Sequence, residues 1–455
     1  MVKDFSSFEE VREAAFKHVF LPIRPIPWLR EGQHLKVFVK GEGIRLTDMN
    51  GKVYIDGAAA WQYGAAGHGR TEIGDAIRDQ IAQLVVVAPE FINIPEVKLA
   101  MKLAEITPGN LTRVAFVNSG SEAVETALKI ARQYHVLNGE PTRYKVIARR
   151  RSYSGITWGA MSVQGALKSL TQVFEPLVPM AKHVAHPYCY RCDYGLAYPS
   201  CDLLCAKEIE NVIKFEEPTT VSAMLGEPIS HSSYVAVPPP EYWPMVRSIC
   251  SKYGVLLIND EVITGFGRTG KWFGSMNWDY QPDILDFAKA ITSGYIPMGG
   301  AIAPPEIASK FEGDVPFGNI PTWGGNPAAA AGALANIAII ERENLVENSA
   351  KMGEYMLEGF RDRFLGVPIV GDIRGIGLML CIELVADKKT KALFKPKQHV
   401  NAMVQDRMEE EGLLSRLFET NIIFTPPLII TKSDIDEIIN ILDRVISVVV
   451  KELGY

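Results

Sequence analysis

Three short stretches of the chain carry reactive side chains at the ends of apolar runs. In "GVLLINDEVITGFGRTG" such a run leads straight into Asp260 and Glu261. The run implies burial, and a buried carboxylate is costly unless a cation or several donors face it. Arg268, in the same stretch, is one structural partner that would meet this need. "ILDFAKAITSG" poses the mirror question with Lys289, an amine at the end of a second apolar run. Flexible amines prefer solvent, so a partly desolvated lysine is suited to act as a neutral nucleophile towards a carbonyl. In "FVNSGSEAVETALKIAR" a strand ends at Asn118, Ser119-Gly120-Ser121 turn the chain, and Val124, Ala127, Leu128 and Ala131 mark one helical face. A helix N-terminus with free N–H groups, a glycine and flanking hydroxyls makes a phosphate site. The same residues also suit a plain N-capped helix with Ser121 as cap. Their spacing is neither that of a Walker loop nor that of a dinucleotide-binding glycine motif.

Such side chains need a rigid frame. Between Arg113 and Pro304 a unit recurs: a short apolar run, a polar residue at its carboxyl end, a glycine-containing turn and a helical pattern. The runs are "RVAFVN", "YKVIAR", "VSAMLGE", "GVLLIND", "DILDFAK" and "GGAIAP". Continuous apolar runs alternating with helices predict an α/β fold, with a mostly parallel sheet covered on both faces. Ligands of such sheets gather beyond the carboxyl ends of the strands, where Asn118, Glu227, Asp260 and Lys289 all fall. Elsewhere the pattern changes. "EGIRLTDMNGKVYIDG" reads as two strands around a turn at Asn50-Gly51, and "VPIVGDIRGIGLMLCIELV" as strands around a glycine-rich turn. In "KSDIDEIINILDRVISVVVKEL", Ile435, Ile438, Ile439, Leu442, Val445, Ile446 and Val449 follow helical spacing, with Ser433 and Asp436 as a capping box. Residues 71–330 are therefore expected to form a large domain, and residues 1–70 and 331–455 a smaller α+β domain.

A phosphate for the helix N-terminus, a cationic ring nitrogen for Asp260 and an aldehyde for Lys289 are all carried by pyridoxal phosphate. A carboxylate that keeps the pyridine nitrogen protonated lets the ring accept the electrons left when a substrate Cα loses its proton. The motifs "NSGSEAVETALKIAR", "GEPI", "LLINDEVITGFGRTG", "FAKAITSGYIPMGG", "PTWGGNPAAAAGALA", "GDIRGIGLMLCIEL" and "PPLIIT" follow one another along the chain. As an ordered set they resemble the class III pyridoxal-phosphate aminotransferases of fold type I, from about Gly41 to the C-terminus. The resemblance implies seven strands in the large sheet. It implies that Lys289 forms the Schiff base with the cofactor and moves the proton between the substrate Cα and the cofactor C4′, while Asp260 pairs with the pyridine nitrogen. Ser119, Gly120 and Ser121 would hold the phosphate, Tyr153 would stack on one ring face, Val262 would pack on the other, and Glu227 would support the cofactor end of the sheet. Thr322 of "PTWGG" would reach the phosphate of the neighbouring subunit, which implies a homodimer, or a tetramer built from dimers, with shared sites.

Two departures from the family pattern bear on substrate. The common Tyr-His-Gly at the stacking position is Tyr153-Ser154-Gly155 here, and the "DEVQTG" of the GABA and ornithine aminotransferases is "DEVITG", with Ile263 replacing the glutamine. The second change resembles the branch that takes amines or ω-amino acids as donors and pyruvate as acceptor. Arg416, ahead of the "PPL" segment, matches that branch's arginine for the substrate carboxylate. A guanidinium fork suits a carboxylate, although an arginine at a strand edge is also an ordinary surface residue. Trp61 would line the substrate pocket or simply pack. The resemblance thus implies a ping-pong transaminase acting on β-alanine, taurine or a similar amine. A GABA-type or other class III aminotransferase, or an aminomutase, racemase or decarboxylase, would keep Asp260 and Lys289 as well.

With 455 residues, a net charge of −6 and no basic run, the chain suits small-molecule partners rather than nucleic acid. The charged N-terminus "MVKDFSSFEEVREAAF" has no signal-peptide core, and no segment is apolar enough to span a membrane, so a cytoplasmic protein is expected. Four of the six cysteines, Cys189, Cys192, Cys201 and Cys205, lie close together downstream of His183 and His186. Zinc, local disulfides or reduced thiols would each explain them. A metal-binding protein built on this cluster is the alternative to an enzyme.

Overall fold

The computed structural model describes residues 4–31, 34–166 and 171–455. Near the N-terminus β1 (Phe38–Glu42), β2 (Arg45–Asp48) and β3 (Val53–Asp56) form an antiparallel meander. Its second turn contains Asn50-Gly51, as the sequence predicts. It is wider than a two-residue loop because Asp48 Oδ1 gathers the N–H groups of Asn50 and Lys52.

The large sheet consists of β4 (Arg113–Val117), β5 (Lys145–Arg149), β6 (Ala181–Val184), β7 (Val221–Gly226), β8 (Leu256–Asp260), β9 (Ile284–Phe287) and β10 (Gly299–Ala303), in the order β4-β10-β9-β8-β7-β5-β6. Every residue of β7 to β10 is buried. On one face the helix Gly120–Leu137 packs Val124, Ala127 and Ala131 against Ile258 and Ile284. On the other, the helices Leu204–Phe215 and Tyr242–Tyr253 cover Ile147, Met224 and Leu257. Each such aliphatic side chain contributes about 1.5–3 kcal/mol when fully buried. Coverage on both faces is what the unbroken apolar runs require.

Strand β10 runs antiparallel to both neighbours. Parallel pairing needs a crossover of a dozen or more residues, usually a helix. Residues 288–298 supply only the short 3₁₀ turn Lys289–Thr292, so the chain doubles back. Strand β6 has no counterpart among the six apolar runs. It is an edge strand carrying Lys182 and His183, and charged edges are how sheets discourage further pairing.

The rest of the chain builds β11 (Val370–Ile376), β12 (Met379–Leu384), β13 (Leu413–Leu414), β14 (Arg416–Phe418) and β15 (Asn421–Phe424). Strand β13 pairs in parallel with β3, joining the two ends of the chain, and the others form a sheet in the order β11-β12-β15-β14. The C-terminal helix Lys432–Leu453 buries the expected stripe except Ile439, which is half-buried, and adds Ile441. Its capping box is Thr431 with Asp434, not Ser433 with Asp436. Both pairs have the right spacing, but Asp436 accepts the Tyr355 hydroxyl, whereas Thr431 sits in extended backbone and receives the Asp434 N–H. Among the described residues no helix is long and apolar enough to cross a membrane.

Candidate active site

The carboxyl ends of β7, β8 and β9 and the start of the helix Gly120–Leu137 converge on a cavity of about 130 Å³. Gly120, Ser121, Tyr153, Glu227, Asp260, Val262 and Lys289, all singled out from the sequence, line it. So do Ser154, Ile229 and Ile263.

At the phosphate end the helix cap is Ser119, whose Oγ accepts the Glu122 N–H, rather than Ser121. Ser121 Oγ instead accepts the Ile156 N–H. Gly120 and Ser121 therefore open the helix with amide groups free to meet an anion. A side chain at Gly120 would press on Val262, because an added Cβ would lie 3.0 Å from its Cγ1. Gly155 is more tightly constrained, with a φ of +137° and a virtual Cβ 2.5 Å from Ser121 Oγ. The wall at this end is backbone, as close approach to a phosphate requires.

Asp260 is buried at the end of β8 and accepts one backbone donor, the Val262 N–H, at 3.1 Å. Burial pushes its carboxyl up to about 6, against the pull of that amide and of Lys289. Arg268 does not serve it. This guanidinium donates to the carbonyls of Leu378 and Pro426, tying the glycine-rich loop to the C-terminal part of the chain. Glu261 turns the other way and is fully satisfied by the Thr264 hydroxyl and the amides of Gly274 and Ser275. The two adjacent acids thus divide the work: one holds a turn, the other faces the cavity.

Lys289 follows β9 in a left-handed conformation, φ 48°, that a residue with a side chain adopts only when the surroundings impose it. Burial pushes its amine down to about 8, with Asp260 opposing and Arg416 adding to the shift. Among the described residues its Nζ has no hydrogen-bond or ion-pair partner. Glu227, whose Oε1 accepts the Tyr153 N–H, is pushed up to about 8 by burial and by the Asp260 charge.

Arg416 has no carboxylate partner among the described residues. Its guanidinium lies 3.7 Å from the ring centre of Trp61 and 4.2 Å from that of Phe418, and burial brings its pKa down to about 10. Trp61 is presented by four successive left-handed residues, Ala59 to Gln62, so its placement is imposed rather than relaxed. Thr322 is exposed and outside the cavity of its own chain.

The four clustered cysteines line a second cavity as free thiols, with burial and mutual repulsion keeping the Cys189 and Cys205 thiols protonated. Among the described residues no group of three or more His, Cys, Asp or Glu side chains is placed to hold a metal ion. His186 is buried at this cavity with neither ring nitrogen bonded, and His183 bonds the Gln164 carbonyl at 3.0 Å.

Asp286 was missed from the sequence. It lies fully buried beside Asp260, and the only signal was a polar residue inside the apolar run "DILDFAK".

Free amides for a phosphate, an underserved buried acid and a half-buried amine around one cavity fit pyridoxal phosphate. The family described as Aminotransferase class-III matches residues 29–446. The taurine–pyruvate aminotransferase of Bilophila wadsworthia is 38% identical over 431 residues, covering 92% of this chain and 93% of that protein. The putrescine–pyruvate aminotransferase of Pseudomonas aeruginosa is 35% identical over 414 residues, covering 89% of each. The crystal structure of an (S)-enantioselective omega-transaminase from Thermomicrobium roseum superposes with a TM-score of 0.94 at 38% identity, covering 98% of this chain and all of that one. Matches of this extent, on a site of this chemistry, place the chain in the class III aminotransferases, and it is a pyridoxal-phosphate-dependent transaminase of fold type I.

Proposed function

We propose that this transaminase moves the amino group of an amine or ω-amino acid such as taurine or β-alanine to pyruvate, in two half-reactions that share one site. The observation that carries the substrate reading is Arg416, a guanidinium with no acid partner among the described residues, held between two aromatic faces and near enough to the cavity residues Lys289 and Tyr153 to act on their charges. It offers two parallel donors to the carboxylate of a 2-oxo acid. When the donor has no carboxylate, the neighbouring Trp61, Phe418 and Ile263 offer apolar surface instead. The pyruvate-using relatives named above support the same choice of acceptor.

Bound in the cavity, pyridoxal phosphate supplies an aldehyde for Lys289 and a ring that accepts electrons from the substrate. The residues do the rest. Gly120 and Ser121 would hold the phosphate with backbone amides, and Asp260 would keep the ring nitrogen protonated. Val262 and Tyr153, which both line the cavity, would enclose the ring. Lys289, pushed down to about 8, is readily neutral and so able both to attack a carbonyl and to take the proton from the substrate Cα.

Thr322 lies outside its own cavity, and the segments around it carry exposed apolar side chains: Ile320 and Trp323 on one, Phe91, Ile92 and Ile94 on the other. The two segments are joined by the Asn93 side-chain amide donating to the Gly325 carbonyl at 2.9 Å. An apolar patch of this kind marks an interface. It supports a homodimer in which Thr322 completes the phosphate site of the partner subunit.

The test is a half-reaction. Enzyme mixed with an amine and no oxo acid should convert one equivalent per subunit and stop, and pyruvate should then restart it with formation of alanine. Continued turnover without an oxo acid would indicate a decarboxylase or racemase. A screen of donors against pyruvate and 2-oxoglutarate then identifies the pair.

A further inference from the structure

Asp286 is a second buried acid at the site to which the mechanism assigns no part. It pairs directly with Asp260 in the parallel β8–β9 ladder, so the two side chains leave the same face of the sheet. Two residues earlier on that face, Ile258 and Ile284 pack beneath Val124 and Ala127 of the helix Gly120–Leu137. Asp286 is thus walled in by apolar side chains. It is fully buried, and among the described residues neither of its oxygens meets an N–H or hydroxyl donor.

The charged groups facing it are acids: Asp260 and Glu261 from the end of β8 and Glu227 from beyond β7. Arg149 on β5 acts on Glu227, and Lys289 on Asp260. Strand β10 contributes no titratable side chain. The helix contributes none either, since Glu122 is engaged by the Asn118 N–H and Glu125 by the Thr157 hydroxyl. Burial and this surrounding negative charge push the Asp286 carboxyl well above the ordinary carboxylate range. A protonated carboxyl has one O–H to donate, and the acceptor that the ladder sets beside it is the Asp260 carboxyl.

We propose that Asp286 is a positioning residue: it keeps the proton of the Asp260–Asp286 pair and donates it as a hydrogen bond that orients the Asp260 carboxylate towards the cofactor's ring nitrogen. The inference rests on the reading of Asp260 as the partner of that nitrogen. With the Val262 amide and the Asp286 hydroxyl as fixed donors, Asp260 is anchored at two points and keeps lone pairs for a single cation. A neutral acid does this without adding a second negative charge to the site.

The experiment compares Asp286→Asn, which keeps a donor and cannot ionise, with Asp286→Leu, which keeps bulk and loses the donor. In the apoenzyme at neutral pH the wild type should show the infrared carbonyl stretch of a protonated carboxylic acid in addition to that of Glu227, and this additional band should be lost in both variants. Affinity for pyridoxal phosphate, measured by equilibrium dialysis, should stay near wild type in Asp286→Asn. In Asp286→Leu it should fall about 10-fold, the effect of one hydrogen bond to a charged group. The visible absorption band of the loaded Leu variant should titrate about one pH unit away from wild type. Equal affinities of the Leu and Asn variants, or no infrared band assignable to Asp286, would overturn the proposal. If Asp286→Leu does not fold, the infrared band and the Asn affinity still decide, because a 10-fold loss in Asp286→Asn contradicts it. Asp260→Asn separates the two readings: wild-type cofactor affinity in that variant removes the underlying role of Asp260 while leaving the infrared result for Asp286 intact.

Discussion

The charges around Glu383 and those around Asp260 are both buried, yet they are satisfied to very different degrees. Glu383 on β12 is fully buried and accepts the Tyr188 hydroxyl, the Arg191 Nε–H and, at 2.7 Å, the Arg374 guanidinium. Arg374 also reaches Asp372 and the Tyr234 carbonyl, at 2.7 and 2.8 Å, so the network bolts the cysteine-bearing segment to the C-terminal sheet. Around Asp260 the opposite holds. Asp260 has one backbone donor, Asp286 no N–H donor at all, and Lys289 and Arg416 no acid partner among the described residues. Two nitrogens of the buried Arg149 are also left without acceptors. Since each unmet buried polar group costs about 1–3 kcal/mol, several of them facing one cavity leave a ligand a large share of that cost to relieve. Unmet charged groups gathered around one cavity, more than burial or charge alone, set the site apart from the Glu383 network.

Exchanging a central residue of each cluster should give opposite results. Lys289→Ala should reduce the half-reaction with amine by about 10³-fold or more, through loss of the nucleophile and proton carrier together. Its thermal midpoint should not fall, because the substitution removes an amine that burial already disfavours. Turnover near wild type would sink the mechanism. Glu383→Gln should do the reverse. It leaves Arg191 with no acid partner among the described residues and Arg374 with Asp372 alone, and should destabilise the fold by about 3–5 kcal/mol in denaturant titrations, while activity per folded molecule stays within about twofold, the scatter expected of a change outside the cavity.

The difference between the two clusters also decides how much was legible in the sequence. Lys289, Asp260 and Gly120-Ser121 announce themselves because each interrupts an apolar run at a strand end, and strand ends of a parallel sheet share one edge. Periodicity cannot report pairing partners. Asp260 and Arg268 lie in one stretch, yet the latter bonds carbonyls of Leu378 and Pro426, more than a hundred residues away. Asp286 was passed over for the same reason, since only the β8–β9 register sets it beside Asp260. The edge strand β6 escaped because an exposed, charged edge breaks the apolar signal, and the capping box slipped from Thr431 to Ser433 because spacing alone fits both.

Arg416 lies between the two extremes, a charge met by ring faces and by no acid. Arg416→Ala should raise the KM for pyruvate about 10-fold or more, the effect of losing a charge-assisted pair. It should leave the half-reaction with a donor lacking a carboxylate nearly unchanged. Equal losses in both half-reactions would make Arg416 a packing residue like those around Glu383.

The smallest expected effect reads the titration of the site directly. The Lys289 amine, with an ordinary value of 10.5, is pushed down to about 8 by burial. The fold therefore disfavours its protonated form. Unfolded chains bind the extra proton between about pH 8 and 10.5, so this group's penalty on the apoenzyme is full below 8 and relieved as pH rises through that window. Only the neutral amine attacks an aldehyde. Reconstitution of apoenzyme with pyridoxal phosphate should therefore quicken about tenfold per pH unit up to about 8 and then level off. Raising salt should leave that midpoint in place, because screening reaches exposed charges far more than buried ones. A midpoint near 10.5 would mean that the amine is solvated before the cofactor arrives, and Lys289 would then belong with the satisfied charges of the scaffold.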